Sequence, residues 1–494
     1  MKSWMKWALL ALGVVMFAAN GAYRERAVPF GPELQWLNVT QPLTLEGLRG
    51  KVVILDFWTY GCVNCMHVLP DLKKLEQKYG HRLAVISIHS PKFDNEKRLK
   101  TLQRIVARYD IDHAVANDVA FSQWRQYGVR AWPSFVVIDP AGRVVGKTSG
   151  EGRYQLLDQV VAALLEEFKG RLDETPLPLK PLELAEQGLA APGKVAVSDK
   201  RVAVADTGHH RIVLADHQGQ VQAIIGSGEA CAEDGGFEVS CFRDPQGLAF
   251  LGQSLYVADT GNHLVRRIDL RNKQVTTVAG TGQLGGYPYQ GGPAQGTAIR
   301  SPWDLVALDE HSLAIAMAGS HQIWRLDLKR KRLEVLAGTG REALEDGSFE
   351  ASAFNQPSGL ALHGERLWVA DSEASAIREL DLNGKRVKTL VGQGLFDFGH
   401  KDGPFAKALL QHALGVLWWD KSTLYVADTY NHGLRRLDLE KGQISTVPLP
   451  DNALNEPGGL ARLGERLLVA DTNQDRLLLI EPLNGKIAPF ELAF

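Results

Sequence analysis

Only four cysteines occur in 494 residues, too few to staple a chain of this length into a disulfide framework, so its stability must come from buried apolar surface. The formal net charge is only -2, which gives no general attraction to polyanions, and no nucleic-acid partner is expected. Beyond residue 22 no apolar run approaches the roughly 20 residues that span a bilayer. Disorder is also excluded, because 45% hydrophobic and 23% charged residues is ordinary globular usage. The length exceeds what a single core usually holds, so two or more domains are expected.

The first 22 residues, "MKSWMKWALLALGVVMFAANGA", place Lys2 and Lys6 before an apolar run over 7–19, with the small residues Ala19 and Gly21 around a cleavage point. This pattern reads as a bacterial-type secretory signal over 1–22. The run is short for a membrane span, which favours cleavage; the alternative is an uncleaved anchor in the inner membrane. No cysteine follows it, so a lipoprotein is not expected. The rest of the chain is then expected in the periplasm or outside the cell, where disulfides persist.

Two regimes follow. From about residue 34 to 165, strand-like runs ("VVILDFW", "LAVISIH", "SFVVID") alternate with helical periodicity ("VLPDLKKLEQKYG", "EKRLKTLQRIVARYD", "YQLLDQVVAALLEEF"), predicting an α/β domain over 31–170. The stretch "DETPLPLKPLEL" is proline-rich and predicts a linker over 171–190. Beyond it one phrase recurs six times, as in "LYVADTGNHLVRRIDL" and "LYVADTYNHGLRRLDL". Aligned on Asp206, Asp259, Met317, Asp371, Asp428 and Asp471, the copies are spaced by 53, 58, 54, 57 and 43 residues. That is about one four-stranded propeller blade plus a variable loop, so 191–494 is expected to form an all-β six-bladed propeller. Either "KIAPFEL" or "LELA" near residue 182 could supply the strand that closes the ring. The long Gly-rich connections between blades would gather on one face as a binding surface.

The chemistry concentrates in "VILDFWTYGCVNCMHVLP", residues 53–70. A Cys-x-x-Cys at a strand-to-helix junction puts Cys62 at a helix N-terminus, where free backbone N–H groups favour thiolate; Cys65, one turn on, would resolve a mixed disulfide. Asp56, in the apolar strand, would have a raised pKa suited to taking the resolving thiol's proton; the plainer reading is a strand-end carboxylate. In "GVRAWPSFVVIDPAG", Pro133 precedes a β-rich run, where a cis peptide would turn the backbone toward the cysteines.

Zinc is disfavoured because no second Cys-x-x-Cys or paired-His motif accompanies the pair, and covalent haem because Met66, not His67, follows Cys65. Copper held by Cys62, Cys65 and His67 is a weaker alternative; otherwise His67 is a helix-face residue. Cys231 and Cys241 in "GEACAEDGGFEVSCF" are expected to form a structural disulfide worth roughly 2 to 3 kcal/mol. The Asp of "VADT" suggests either a cation ligand or a cap on the following turn, and its replacement by Met317 favours structure. The Arg and His of "NHLVRR" and "NHGLRR" are read as blade-building rather than as an anion site.

"LDFWTYGCVNC", a helix, and "WPSFVVIDPAG" together resemble the thioredoxin-like superfamily over residues 33–168, particularly its exported reductases and oxidases. The resemblance matches Cys62 and Cys65 to the redox pair, Asp56 to the buried acid, Trp58 to the motif aromatic and Pro133 to the cis-proline. The "VADT" copies resemble NHL repeats. The two in this order, with "FWTY", "NCMH", "LPDL" and "HSPKF", resemble the family of NHL repeat-containing protein 2 and its bacterial relatives. The resemblance implies an exported thiol-disulfide oxidoreductase acting on a protein substrate or redox partner, with the propeller as its platform and no dissociable cofactor. A propeller scaffold with a non-catalytic thioredoxin-like domain is the alternative, and copper handling a weaker one. Gly61 stands where many relatives carry Trp, and Val63 and Asn64 replace the familiar Gly-Pro; these departures leave the direction of electron flow open, as the sequence leaves the oligomeric state.

Overall fold

In the first part of the chain, one sheet is built from β1 (Met16–Phe17), β2 (Gln35–Leu37), β3 (Val52–Trp58), β4 (Leu83–His89), β5 (Ala114–Asn117), β6 (Ser134–Ile138) and β7 (Val144–Ser149). The structure is a computed structural model describing residues 16–17, 24–182 and 188–494. The secretory-signal reading of 1–22 therefore falls, apart from 16–17, outside the described residues. The chain divides into two units, Met1–Glu183 and Leu184–Phe494.

The strand order is β1-β7-β6-β3-β4-β5-β2. β3, β4 and β5 are parallel, whereas β6 runs antiparallel to β3 and β7 antiparallel to β6. β3 and β4 are buried at every position, as expected of central strands covered on both faces. Strand alternation splits β3 between two cores. Val53, Leu55 and Phe57 pack with Leu43, Leu45 and Tyr127, while Val52 and Ile54 pack with α2 (Leu69–Tyr79) and α5 (Tyr154–Glu167). Asp56, two residues after Ile54, shares the α2 face.

α1 is a single turn, Val63–Met66. Pro70 has no N–H to give the Met66 carbonyl, so the periodic stretch breaks at residues 67–68 and resumes as α2 with Pro70 in its first turn. Two short elements complete the unit, α3 (Leu99–Arg108) and α4 (Ser122–Gln126).

The proline-rich segment expected as a linker over 171–190 is not free. The Pro178 carbonyl accepts from Thr40 N–H at 2.9 Å, Asp173 N–H donates to the Gly50 carbonyl, and Lys51 Nζ reaches the Asp173 and Thr175 carbonyls at 3.0 and 2.6 Å. Proline cannot donate, but an extended strap can still be held through its carbonyls, and Leu177 adds an apolar anchor. The first unit also begins before residue 31, because Ala27 is buried in the same core and Arg24 pairs with the buried Asp139 at 3.1 Å. At the other end of the segment, Leu189 belongs to a propeller core.

The second unit is a six-bladed propeller. Each blade has four consecutive antiparallel strands; in blades 2 to 5 a two-residue strand from the preceding loop, such as Gly235–Gly236, adds a fifth. The innermost strand of each blade touches that of the next, and Pro457–Leu463 of blade 6 touches Val195–Val197 of blade 1. "KIAPFEL" supplies the outer strand of blade 6, Ile487–Pro489, and the residues after it reach blade 1, where Ala493 bridges Gln220 in parallel and its N–H donates to the Gly219 carbonyl at 2.9 Å.

The repeated phrase explains the closure. The strand-end Asp does not cap the turn that follows it, contrary to the sequence reading; Asp259 Oδ1 accepts Arg243 N–H at 2.8 Å, sixteen residues upstream, and Asp206, Asp371, Asp428 and Asp471 do likewise. The next residue faces the other way: Thr260 Oγ1 donates to the Pro302 carbonyl of the following blade at 2.6 Å, and Thr207, Ser372 and Thr429 repeat this. Thr472 makes the same bond from blade 6 to Pro192 at 2.8 Å, which joins the last blade to the first. The phrase is therefore a set of joints between neighbours, not a row of ligands.

Candidate active site

β3 ends at Trp58, and the chain turns so that Cys62, in extended conformation, leads into α1. Cys62 is half-buried and Cys65 buried. The two thiols are hydrogen-bonded to each other. Burial first, then the hydrogen bond and charge of Cys62 and the nearby Asp56 carboxylate, push the Cys65 thiol well above its ordinary pKa, with a Thr59 backbone hydrogen bond acting in the opposite sense. Cys65 is thereby held protonated until a base removes its proton.

Asp56 is fully buried, and burial pushes its carboxyl up to about 7 against the opposing pull of His113 and Ser87. Its Oδ2 accepts from Ser87 Oγ at 3.1 Å, while Oδ1 has no partner. Such a group is a carboxylate poised near neutrality, with one oxygen held and one free.

The loop that carries Cys62 is fixed by a residue the sequence reading missed. Glu96, buried completely, accepts at Oε1 from Gly61 N–H (2.9 Å) and at Oε2 from Thr59 Oγ1 (2.6 Å), Lys92 N–H (2.6 Å) and Phe93 N–H (3.0 Å). The stretch "HSPKF", quoted for its resemblance, lies just ahead of it, but nothing in spacing marks a carboxylate as a clamp. Ser87 and His113 were likewise missed, because each looks in sequence like an isolated polar residue in or beside a strand.

The peptide bond between Trp132 and Pro133 is cis. Ser134 stands opposite Phe57 in the β3–β6 register, so Pro133 lies at the same end of the sheet as the Cys62 loop. Trp132 donates Nε1–H to the Ser90 carbonyl at 3.0 Å and packs on Trp124 with ring centroids 4.5 Å apart. Trp58 is buried edge-on to His89, whose own burial holds its imidazole down to about 4.

His67 does not join the thiols in a ligand set. Its Nδ1 meets Glu151 Oε2 at 2.6 Å, and among the described residues no group of three or more His, Cys, Asp or Glu side chains could hold a metal ion. Cys231 and Cys241 form the expected disulfide in the first interblade loop, their Cα atoms 5.2 Å apart, within the ordinary range. Among the described residues no helix is long and apolar enough to cross a membrane.

Comparison with known proteins fits this geometry. Residues 50–144 match the thioredoxin-like family model and 242–268 the NHL repeat. NHL repeat-containing protein 2 of Homo sapiens is 39% identical over 515 residues, covering 94% of this chain and 71% of that one. The chain belongs to the family of NHL repeat-containing protein 2. Protein SUPPRESSOR OF QUENCHING 1, chloroplastic, of Arabidopsis thaliana is 42% identical over 496 residues, covering 92% of this chain and 47% of its own length, so the chain spans about half of that relative. The thiol-disulfide oxidoreductase ResA of Halalkalibacterium halodurans is 27% identical over 128 residues, 26% of this chain and 70% of that one.

Proposed function

We propose that the chain is a thiol-disulfide oxidoreductase working on the export side of the membrane, with Cys62 as attacking thiol, Cys65 as resolving thiol and Asp56 as the base. The observation that carries this is the half-buried Cys62 hydrogen-bonded to a buried Cys65 whose proton has Asp56 nearby. The named activity of the ResA relative, similar over the first unit, supports the same chemistry.

Cys62 thiolate attacks one sulfur of a substrate disulfide. That bond breaks, the departing sulfur leaves as a thiolate and takes a proton from solvent, and a mixed disulfide remains on Cys62. Cys65 then gives its proton to Asp56, and its sulfur attacks the Cys62 sulfur. The Cys62–Cys65 disulfide forms and the second substrate sulfur is expelled. Two electrons pass to the substrate; run in reverse, the same steps oxidise a dithiol. Pro133 at the same end of the sheet offers the adjoining backbone to an extended substrate.

Export is supported by Lys2 and Lys6 ahead of an apolar run, and the Cys231–Cys241 bridge suits an oxidising compartment. The propeller is the platform that recruits the protein partner. The test is trapping: Cys65→Ala, given a disulfide-bonded model peptide, accumulates a covalent adduct at Cys62 seen by mass spectrometry, and Cys62→Ala forms none. If Cys65→Ala forms no adduct, the oxidoreductase reading fails and the propeller alone is the working part.

A further inference from the structure

The proton that Asp56 takes from Cys65 enters a fully buried site and must leave before the next cycle. We propose that Ser87, His113 and Glu76 form the path that carries it to solvent, an inference that rests on the exchange chemistry above.

Asp56 and Ser87 face each other in register on the parallel strands β3 and β4. From Asp56 Oδ2, the chain of hydrogen bonds runs to Ser87 Oγ (3.1 Å), on to His113 Nε2 (2.8 Å), and from His113 Nδ1 to Glu76 Oε2 (3.2 Å). Ser87 is wholly buried and His113 5% exposed, whereas the Glu76 side chain on α2 is 29% exposed. The path therefore begins in the core and ends in water.

Hydrogen-bond capacity limits what this chain can hold. With both carboxylates ionised, each only accepts, so Ser87 O–H must point to Asp56, and both His113 nitrogens must donate, to Ser87 and to Glu76. When Asp56 Oδ2 carries the proton instead, it donates to Ser87, the hydroxyl turns to His113 Nε2, and His113 is neutral. The two patterns differ by one proton shifted along Ser87 between His113 and Asp56. Asp56 Oδ1, which has no partner, is the oxygen left to meet the Cys65 proton. From the pattern with Asp56 protonated, Oδ2 gives its proton to Ser87 Oγ as the Ser87 hydroxyl gives its own to His113 Nε2 and His113 Nδ1–H passes one to Glu76 and so to water, which leaves Asp56 ionised; no electron moves and no bond other than O–H, N–H and S–H changes.

Cys62 and Cys65 lie on the side of α1, Glu76 and Lys73 on α2, and Asp110 and Asp112 precede β5. Lys73 is paired with Asp110 and Asp112 at 2.5 and 3.2 Å. His113 thus meets Glu76 as its outlet and Asp56 as its source.

The test is stopped-flow kinetics on the full chain, separating attack by Cys62 from resolution by Cys65. Ser87→Ala removes the middle of the path; resolution at pH 7 is expected to fall at least about 10-fold while attack, measured with the same disulfide peptide, stays within about two-fold. Ser87→Thr keeps a hydroxyl and restores resolution to within about three-fold. In an Asp56→Asn background Ser87→Ala adds less than about two-fold. His113→Gln gives an independent reading and should slow resolution similarly. If either Ser87→Ala or His113→Gln resolves the adduct at the wild-type rate across pH 6 to 8, the path is overturned and the exchange chemistry stands. If the wild type forms no adduct, the exchange reading itself falls.

Discussion

The Arg266 guanidinium donates to Asp259 Oδ2 at 2.9 Å with both side chains fully buried. The same arginine reaches Asp234 and the carbonyls of Cys241 and Glu233, while Asp234 accepts from Thr277. Blades 4 and 5 repeat the set as Arg378 with Asp371, Asp346 and Thr389, and as Arg435 with Asp428, Asp402 and Thr446. In blade 3 every member changes together: Met317 stands at the strand-end Asp, Trp324 at the Arg, Gly291 at the loop Asp and Val335 at the Thr. Blades 1 and 6 keep the strand-end Asp but pair it with an arginine five residues on, Arg211 with Asp206 at 2.7 Å and Arg476 with Asp471 at 2.8 Å, so each strand-end Asp has an arginine partner, as expected where an unpaired buried charge would be costly.

Removing the arginine alone should therefore be costly. Arg266→Met leaves Asp259 buried without its counter-charge and is expected to destabilise the propeller by about 3 to 5 kcal/mol. Installing the blade 3 set in blade 2 (Asp259→Met, Arg266→Trp, Asp234→Gly and Thr277→Val) should recover most of that. Thermal unfolding of the propeller transition measures both, and equal losses in the single and fourfold variants would count against the account.

Asp56 makes stability depend on pH. Its folded value of about 7 lies above the ordinary 3.8, so between these the folded chain holds a proton that the unfolded chain has released. Stability from this group is greatest below that window and declines as pH rises through about 7. Asp56→Asn abolishes the titration, so the variant should gain on the wild type by a few kcal/mol between pH 5 and pH 8 while its resolving step slows. Parallel melting curves across that range would contradict the assignment.

Glu96 is expected to govern the geometry of the Cys62 loop. Glu96→Gln leaves one accepting oxygen for four donors, and a loss of about 2 kcal/mol is expected, with a changed rate of Cys62 alkylation. An alkylation rate equal to the wild type's would mean that the loop does not need this carboxylate.

Much of this arrangement was legible in the sequence, for reasons tied to periodicity. The repeat and its near-constant spacing declared the blades, and the strand-to-helix junction placed Cys62 and Cys65 where the structure has them. Asp56 stood out because a charge inside "VVILDFW" has no ordinary reason to be there. What stayed hidden was long-range pairing. Ser87 and His113 matter through partners 31 and 26 residues away, and Glu96 through partners on a loop 35 and 37 residues upstream. The strand-end Asp was read as a local cap because local bonding is the commonest use of such a residue, whereas here a loop sixteen residues back supplies the N–H. The proline-rich stretch read as a linker because proline breaks regular structure, but its carbonyls are still able to dock it.

The disulfide at Cys231–Cys241 closes a loop of sequence separation 10, and Cys231→Ser with Cys241→Ser should cost roughly 2 to 3 kcal/mol. Its loop also presents carbonyls to Asn262 and Arg266, so the loss should show in the propeller and leave thiol exchange unchanged. A fall in exchange rate would instead give the second pair a redox part.

The most direct measurement is the reduction potential of the Cys62–Cys65 couple in the Cys231→Ser and Cys241→Ser background, equilibrated with thiol buffers and read by counting free thiols. A single reversible two-electron transition is expected between about -270 and -120 mV, the span of known thioredoxin-like exchangers. If the two thiols stay reduced, or oxidise without returning, across that range, the first unit does not exchange disulfides and the oxidoreductase function is contradicted.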